Sequence, residues 1–90
     1  MTNREAVLYV DREMLVAVLV LRGASRATVY RCAADISDGV GNWAMSVDHE
    51  QIRVEGGEKD DAEFPSVIQR ILDSAAVAHY RVVATQEYRR

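Results

Sequence analysis

Residues 14–21 form the longest uninterrupted apolar run of the chain, eight residues from Met14 to Leu21. The run is far shorter than a membrane span, which needs about 20 apolar residues. Its valines, and the turn signal Arg22-Gly23 that closes it, favour a strand over residues 14–22. A strand with one face in water alternates apolar and polar residues, and this run does not alternate. We therefore predict a strand that is covered on both faces.

Other segments also have the length and composition of strands, and they are residues 5–10, 43–48 and 51–55. A further segment, 26–34, contains Thr-Val-Tyr, which favours a strand over a helix capped by Ser25. The polar residues 11–13 and the turn His49-Glu50 are short enough to join their neighbours as hairpins. Residues 35–41 are predicted to be a loop, because they combine Asp, Ser and two glycines.

One helix is predicted near the C-terminus. Its apolar face repeats at the helical spacing of 3.6 residues and consists of Phe64, Val67, Ile68, Ile71, Leu72, Ala75 and His79. Pro65 suits a first helical turn, whereas Arg70 falls on the side that faces water. Residues 80–88 fit either a strand, because of Val82 and Val83, or a longer helix. We predict a longer helix, because no Gly, Pro or Asn marks a stop after His79.

Together these elements predict an α+β fold in one domain spanning residues 1–90. The short polar connections favour a mostly antiparallel meander of about five strands over parallel crossovers. One long C-terminal helix packs on one face of that sheet.

Composition adds a cellular context. The 90 residues are 49% apolar and carry a net charge of −3, which is typical of a folded domain rather than a disordered chain. Ten of the eleven basic residues are Arg, as expected of a GC-rich bacterial or phage genome. The single cysteine excludes an internal disulfide and fits a reducing compartment. No signal peptide precedes the apolar run, so we expect a cytoplasmic protein without a membrane segment.

Candidate chemistry is sparse. Cys32, His49 and His79 do not stand at the spacings of metal ligands, and no glycine-rich loop could hold a phosphate. Cys32 is expected in a strand as an inert, buried residue, and His79 is expected as a core histidine. A pairing of Cys32 with His79 stays open, because their elements could pack together. We predict no catalytic residues, no metal and no cofactor.

Nucleic acid is a second alternative as a partner. Arg22, Arg26 and Arg31 surround Tyr30, and arginine beside an aromatic side chain on a sheet can stack bases and hold phosphates. The net negative charge opposes this hypothesis, because nucleic-acid-binding domains are usually basic.

The function that we predict is that of a non-enzymatic protein-binding module, which acts through protein–protein contacts. A homodimer is expected, and the role is that of a small inhibitor or adaptor. The candidate interface residues are Val16, Val18, Val20, Tyr30 and Trp43. The first alternative is a small dimeric enzyme or ligand-binding protein. Its pocket would lie between sheet and helix and be lined by Tyr30, Cys32, Trp43 and His79.

Overall fold

The structure is a computed structural model that describes residues 4–57 and 62–87, the last four of them by backbone alone. The described elements are β1 (Arg4–Asp11), β2 (Val16–Val20), α1 (Arg26–Val40), β3 (Ala44–Asp48), β4 (Gln51–Glu55), α2 (Phe64–Val77) and β5 (Tyr80–Glu87). The chain is thus a small α+β protein with a five-stranded sheet and two helices. In this part of the chain, neither helix is long and apolar enough to cross a membrane.

The strands are ordered β3-β4-β2-β1-β5 across the sheet. β5 runs parallel to β1, and each other neighbouring pair of described strands is antiparallel. The predicted five-stranded, mostly antiparallel sheet is therefore confirmed in part. The prediction of a meander is wrong, because α1 and α2 intervene and carry the chain across the sheet. A parallel pair requires such a crossover connection.

Helix α1 corrects the prediction of a strand at 26–34 and of a loop at 35–41. The Ser25 side chain caps the helix, since its oxygen accepts a hydrogen bond from the Thr28 backbone N–H at 3.2 Å. The buried residues of α1 repeat at helical spacing: Val29, Cys32, Ala33, Ile36 and Val40. This burial and the cap outweigh the strand propensity of Thr-Val-Tyr. The fold consequently has two helices instead of one.

The end of α2 corrects the prediction that the helix continues beyond His79. The Ala78 N–H donates to the Ser74 carbonyl at 3.1 Å, and His79 then adopts a left-handed backbone with φ of 70°. A left-handed residue just past the last turn is a common way to end a helix. The chain reverses there and pairs as β5 with the free edge of β1. Residue 88 lies outside the described residues.

The core lies between the sheet and both helices. The strands contribute every second residue to it, namely Ala6, Leu8, Val10, Ala17, Leu19, Ile52 and Val54. At one end of the core the Trp43 ring stacks on the Phe64 ring, with centroids 5.7 Å apart and planes within 4°. The α2 residues Val67, Ile71 and Ala75 complete the packing, as their spacing predicts.

The opposite face of the sheet carries the second apolar row of β2. Within the described residues no helix packs on this face, yet Val16 and Val18 are only 2% and 4% exposed. The strand register places Tyr9 and Arg53 on either side of Val18, and these longer side chains shield it. The prediction of a strand covered on both faces is therefore confirmed at Val16 and Val18, where neighbouring strands supply the cover.

Candidate functional site

A groove with a volume of about 400 Å³ lies between α1 and the C-terminal end of α2. Pockets that hold small ligands measure roughly 300–1,000 Å³, so the groove is large enough to bind one. One wall is formed by α1, the other by the last turn of α2 and the residues after it. The two helices meet at the floor.

The α1 wall carries four side chains that follow one another at helical spacing: Thr28, Arg31, Asp35 and Asp38. Residues three or four positions apart share one face of a helix, so these side chains line the groove from end to end. The wall has a cation toward the beginning of α1 and an anion toward its end. This face is polar, and the apolar residues of α1 point into the core.

The α2 wall consists of Val77, Ala78 and His79. Val77 is 72% exposed and offers an apolar contact at the rim. His79 was predicted to be a core histidine on the apolar face of the helix, and that prediction is wrong. The helix ends before His79, and its left-handed backbone brings the exposed side chain to the groove instead.

Ser74 and Cys32 form the floor. Ser74 is fully buried, and its hydroxyl has no hydrogen-bond partner among the described residues. It does not make the bond to the carbonyl four residues earlier that helical serines often form. Leaving a buried hydroxyl unsatisfied costs about 1–3 kcal/mol. The Ser74 oxygen is not exposed to solvent, so a ligand in the groove would reach it only after a small movement of the groove walls.

The Cys32 thiol is also buried. Burial and, to a smaller extent, the nearby negative charge of Asp35 together raise its pKa from 9.0 to about 11. Since the thiolate is the nucleophile in cysteine chemistry, a thiol that stays protonated at neutral pH is unreactive. The structure does bring Cys32 and His79 to the same groove, but it does not activate the sulfur.

Arg70 links the two helices beside the groove. Its Nε and Nη2 atoms donate to the Asp35 backbone carbonyl at 3.1 and 2.7 Å, and Nη2 lies 3.4 Å from the Asp35 carboxylate. The arginine passes over Gly39, where a Cβ would collide with its side chain. The sequence had placed Arg70 on the water-facing side. Its role depends on the position of α1, which the spacing within α2 cannot reveal.

The predicted interface residues lie in three different places. Val16, Val18 and Val20 are on the sheet face away from the helices, and Tyr30 is exposed on α1 outside the groove. Trp43 is buried against Phe64. The groove therefore contains Cys32 and His79 of the pocket that the first alternative had proposed, but not Tyr30 or Trp43.

The structure also bears on a nucleic-acid-binding surface and on a metal site. Arg26, Tyr30 and Arg31 lie on α1, so they do not form the basic and aromatic sheet surface on which the nucleic-acid alternative depended. Among the described residues, no three His, Cys, Asp or Glu side chains are grouped so that they could hold a metal ion.

The fold and the groove define a small α+β protein with a cleft between two helices on one side of its sheet. No protein-family model matches the chain, and no curated protein matches it. Among solved structures it is similar to the essential ribosomal processing protease Prp from S. aureus, crystallised in complex with a substrate peptide. The identity is 10% and the TM-score 0.47, over 91% of this chain and 98% of that chain. A similarity this low transfers neither an activity nor residue roles.

Proposed function

We propose that this protein is a non-enzymatic binding module that holds a short segment of a partner protein in the groove between α1 and α2. The observation that carries this proposal is the buried Ser74 in the floor of the groove, whose hydroxyl has no partner within the described part of the chain. A bound segment that displaces the groove walls slightly would reach this hydroxyl and supply the missing hydrogen bond. In a cytoplasmic bacterial or phage setting, such a module acts as an inhibitor or adaptor.

Binding is favoured over catalysis by the state of the cysteine. A thiol with a pKa of about 11 has almost no thiolate at neutral pH, so Cys32 is a packing residue in the floor rather than a nucleophile. The His79 side chain is at the rim and exposed. These features support a surface that holds a ligand without transforming it.

A protein segment fits the shape of the groove better than a compact metabolite does. The lining residues of α1 run from Thr28 to Asp38, which corresponds to about 15 Å of helix rise. An extended peptide advances about 3.3–3.6 Å per residue, so the groove accommodates about four residues. Exposed Val77 at the rim provides an apolar contact, and the charged wall provides polar contacts.

Peptide display tests the proposal without knowledge of the partner. A random-peptide phage library is selected on the immobilised wild-type chain, and the enriched peptides are then measured on two variants. Val77→Arg places a long charged side chain at the groove, and Tyr30→Arg is its matched control, because Tyr30 is an exposed apolar residue outside the groove. We expect Val77→Arg to weaken binding about tenfold, equivalent to about 1.4 kcal/mol, and Tyr30→Arg to leave it unchanged.

Two results would contradict the proposal. One is a selection that enriches no peptide on the wild-type chain. The other is a set of peptides that bind Val77→Arg as well as the wild type, or that lose binding only with Tyr30→Arg.

A second candidate function is self-association through the sheet face that neither α1 nor α2 covers. The register aligns Val7, Val20 and Val83 in one row across β2, β1 and β5, which gives that face a small apolar centre. Light scattering tests it: a dimer of the 10.1 kDa chain should become monomeric in Val83→Glu but not in Ser46→Glu, an exposed position on the same face. A monomeric wild type at high concentration contradicts it.

A further inference from the structure

The groove is electrically polarised along its length. Among the described ion pairs, neither Arg31 nor Asp38 takes part in one, whereas Asp35 between them is paired with Arg70. The uncompensated charges of the α1 wall are therefore a cation at one end and an anion at the other. The dipole of α1 has the same sense, because the helix begins on the Arg31 side and ends on the Asp38 side.

The two charges have a defined spacing. Arg31 and Asp38 are seven residues apart on one face of α1, which corresponds to about 10 Å along the helix axis. Ser74 lies in the floor of the same groove, and its buried hydroxyl has one proton to donate and two lone pairs that can accept hydrogen bonds. His79 lies on the opposite wall.

We infer that the groove selects a peptide segment with one acidic and one basic side chain about 10 Å apart, the acidic one at Arg31 and the basic one at Asp38. This inference rests on the proposed function and specifies the chemistry of its ligand. The backbone of the segment passes over Ser74 and gives the hydroxyl its partner. A segment with two like charges would place one of them against a wall charge of the same sign.

Four terminally blocked tetrapeptides test this inference: Glu-Ala-Ala-Lys, Glu-Ala-Ala-Glu, Lys-Ala-Ala-Lys and Gln-Ala-Ala-Gln. In a peptide with the polyproline II conformation, side chains three positions apart lie on the same face and are separated by about 9 Å. Each peptide is titrated into the ¹⁵N-labelled full chain at low salt, and the amide shifts of the groove residues give the dissociation constant. We expect Glu-Ala-Ala-Lys to bind about fivefold more tightly than the other three, the effect of two exposed charge pairs. High salt should remove the preference.

Charge-swap variants make the test specific to the two wall residues. Arg31→Glu should transfer the preference to Lys-Ala-Ala-Lys, and Asp38→Arg should transfer it to Glu-Ala-Ala-Glu. Arg26→Glu is the control, since Arg26 is exposed on the same helix but does not line the groove. All three positions are exposed, and the spectrum of each free variant verifies that it is folded.

The outcomes separate this inference from the proposed function. Equal binding of the four peptides, or a preference that does not follow the charge swaps, overturns the inference and leaves peptide binding intact. The absence of saturable groove shifts with every peptide also overturns it, and the display selection then decides independently whether the groove binds any peptide.

Discussion

Ile71 and Ser74 lie three residues apart on α2 and are equally buried, each with 1% of its surface exposed. Ile71 is surrounded by the apolar core, whereas Ser74 has a hydroxyl without a partner in the floor of the groove. Burial alone therefore does not distinguish a structural position from a functional one. The useful criterion is whether the buried group is satisfied, because an unsatisfied polar group costs stability that nothing in the free protein returns.

The largest loss of stability is expected from a substitution of Ile71 in the core. Ile71→Ala should lower the free energy of unfolding by about 2–5 kcal/mol, because it leaves a cavity in a closely packed core. Urea denaturation measures the loss. Val77→Ala removes apolar carbons from an exposed position of the same helix and should change stability by less than about 0.5 kcal/mol. A value for Ile71→Ala within a few tenths of the wild type would show that α2 does not pack as described.

The next largest loss of stability is expected from a substitution that adds an atom beside the closely packed Trp43 ring. A Cβ on Gly56 would lie 2.5 Å from atoms of the buried Trp43 ring, which is stacked on Phe64 and cannot move aside. Gly56→Ala should therefore cost about 1–3 kcal/mol through overpacking. In a Trp43→Leu background the smaller side chain makes room, so the same substitution should cost less. Equal losses in the two backgrounds, measured by denaturant unfolding, would rule out this contact as the cause.

For a substitution in the groove, the change in the free energy of unfolding should have the opposite sign. Ser74→Ala removes the unpartnered hydroxyl and should raise the free energy of unfolding by about 1–2 kcal/mol. Ser66→Ala is the control, because it is an exposed serine on the same helix and changes only the helix propensity, by about 0.5 kcal/mol. If Ser74→Ala proves destabilising, the hydroxyl already has a partner in solution. The same variant should bind groove peptides less tightly, so stability and affinity move in opposite directions.

The contrast between the two positions also explains what the sequence could predict. Ile71 belongs to an apolar pattern with helical spacing, and that pattern located α2 and its buried face. The hairpin of β3 and β4 is likewise predicted by the alternation of apolar and polar residues and by a two-residue turn. The sequence does not identify α1, although its apolar residues repeat at helical spacing and Ser25 caps it, because Thr-Val-Tyr has the opposite, strand propensity.

Other features depend on contacts that are distant in sequence. The end of α2 at His79 uses a left-handed residue that is not glycine, so no stop signal was visible, and β5 forms only because β1 has a free edge. The groove requires α1 beside α2, which no local pattern specifies. The sequence leaves the pairing of Cys32 with His79 open. Ser74 lines the groove, and Arg70 binds Asp35, only because α1 packs beside α2.

Cys32 lines the groove, yet its buried thiol has the chemistry of a core residue. Its pKa in the folded protein, about 11, lies above the unfolded value of 9.0, because burial and then Asp35 disfavour the thiolate. The unfolded chain therefore loses its proton first as the pH rises. The contribution of this thiol to the free energy of unfolding is constant well below pH 9 and should fall between pH 9 and 11, by about 1 kcal/mol at about pH 10.

Two measurements isolate this loss. Denaturant unfolding across that pH range should show the decline in the wild type and a flatter profile in Cys32→Ala, which has no thiol to titrate. Thiol labelling of the native protein should be slow at neutral pH and faster after unfolding, and Asp35→Asn should move its midpoint to lower pH, since it removes one cause of the raised pKa. Rapid native labelling with a midpoint well below pH 8 would instead identify an activated thiolate, and the groove would then have to be considered as an active site.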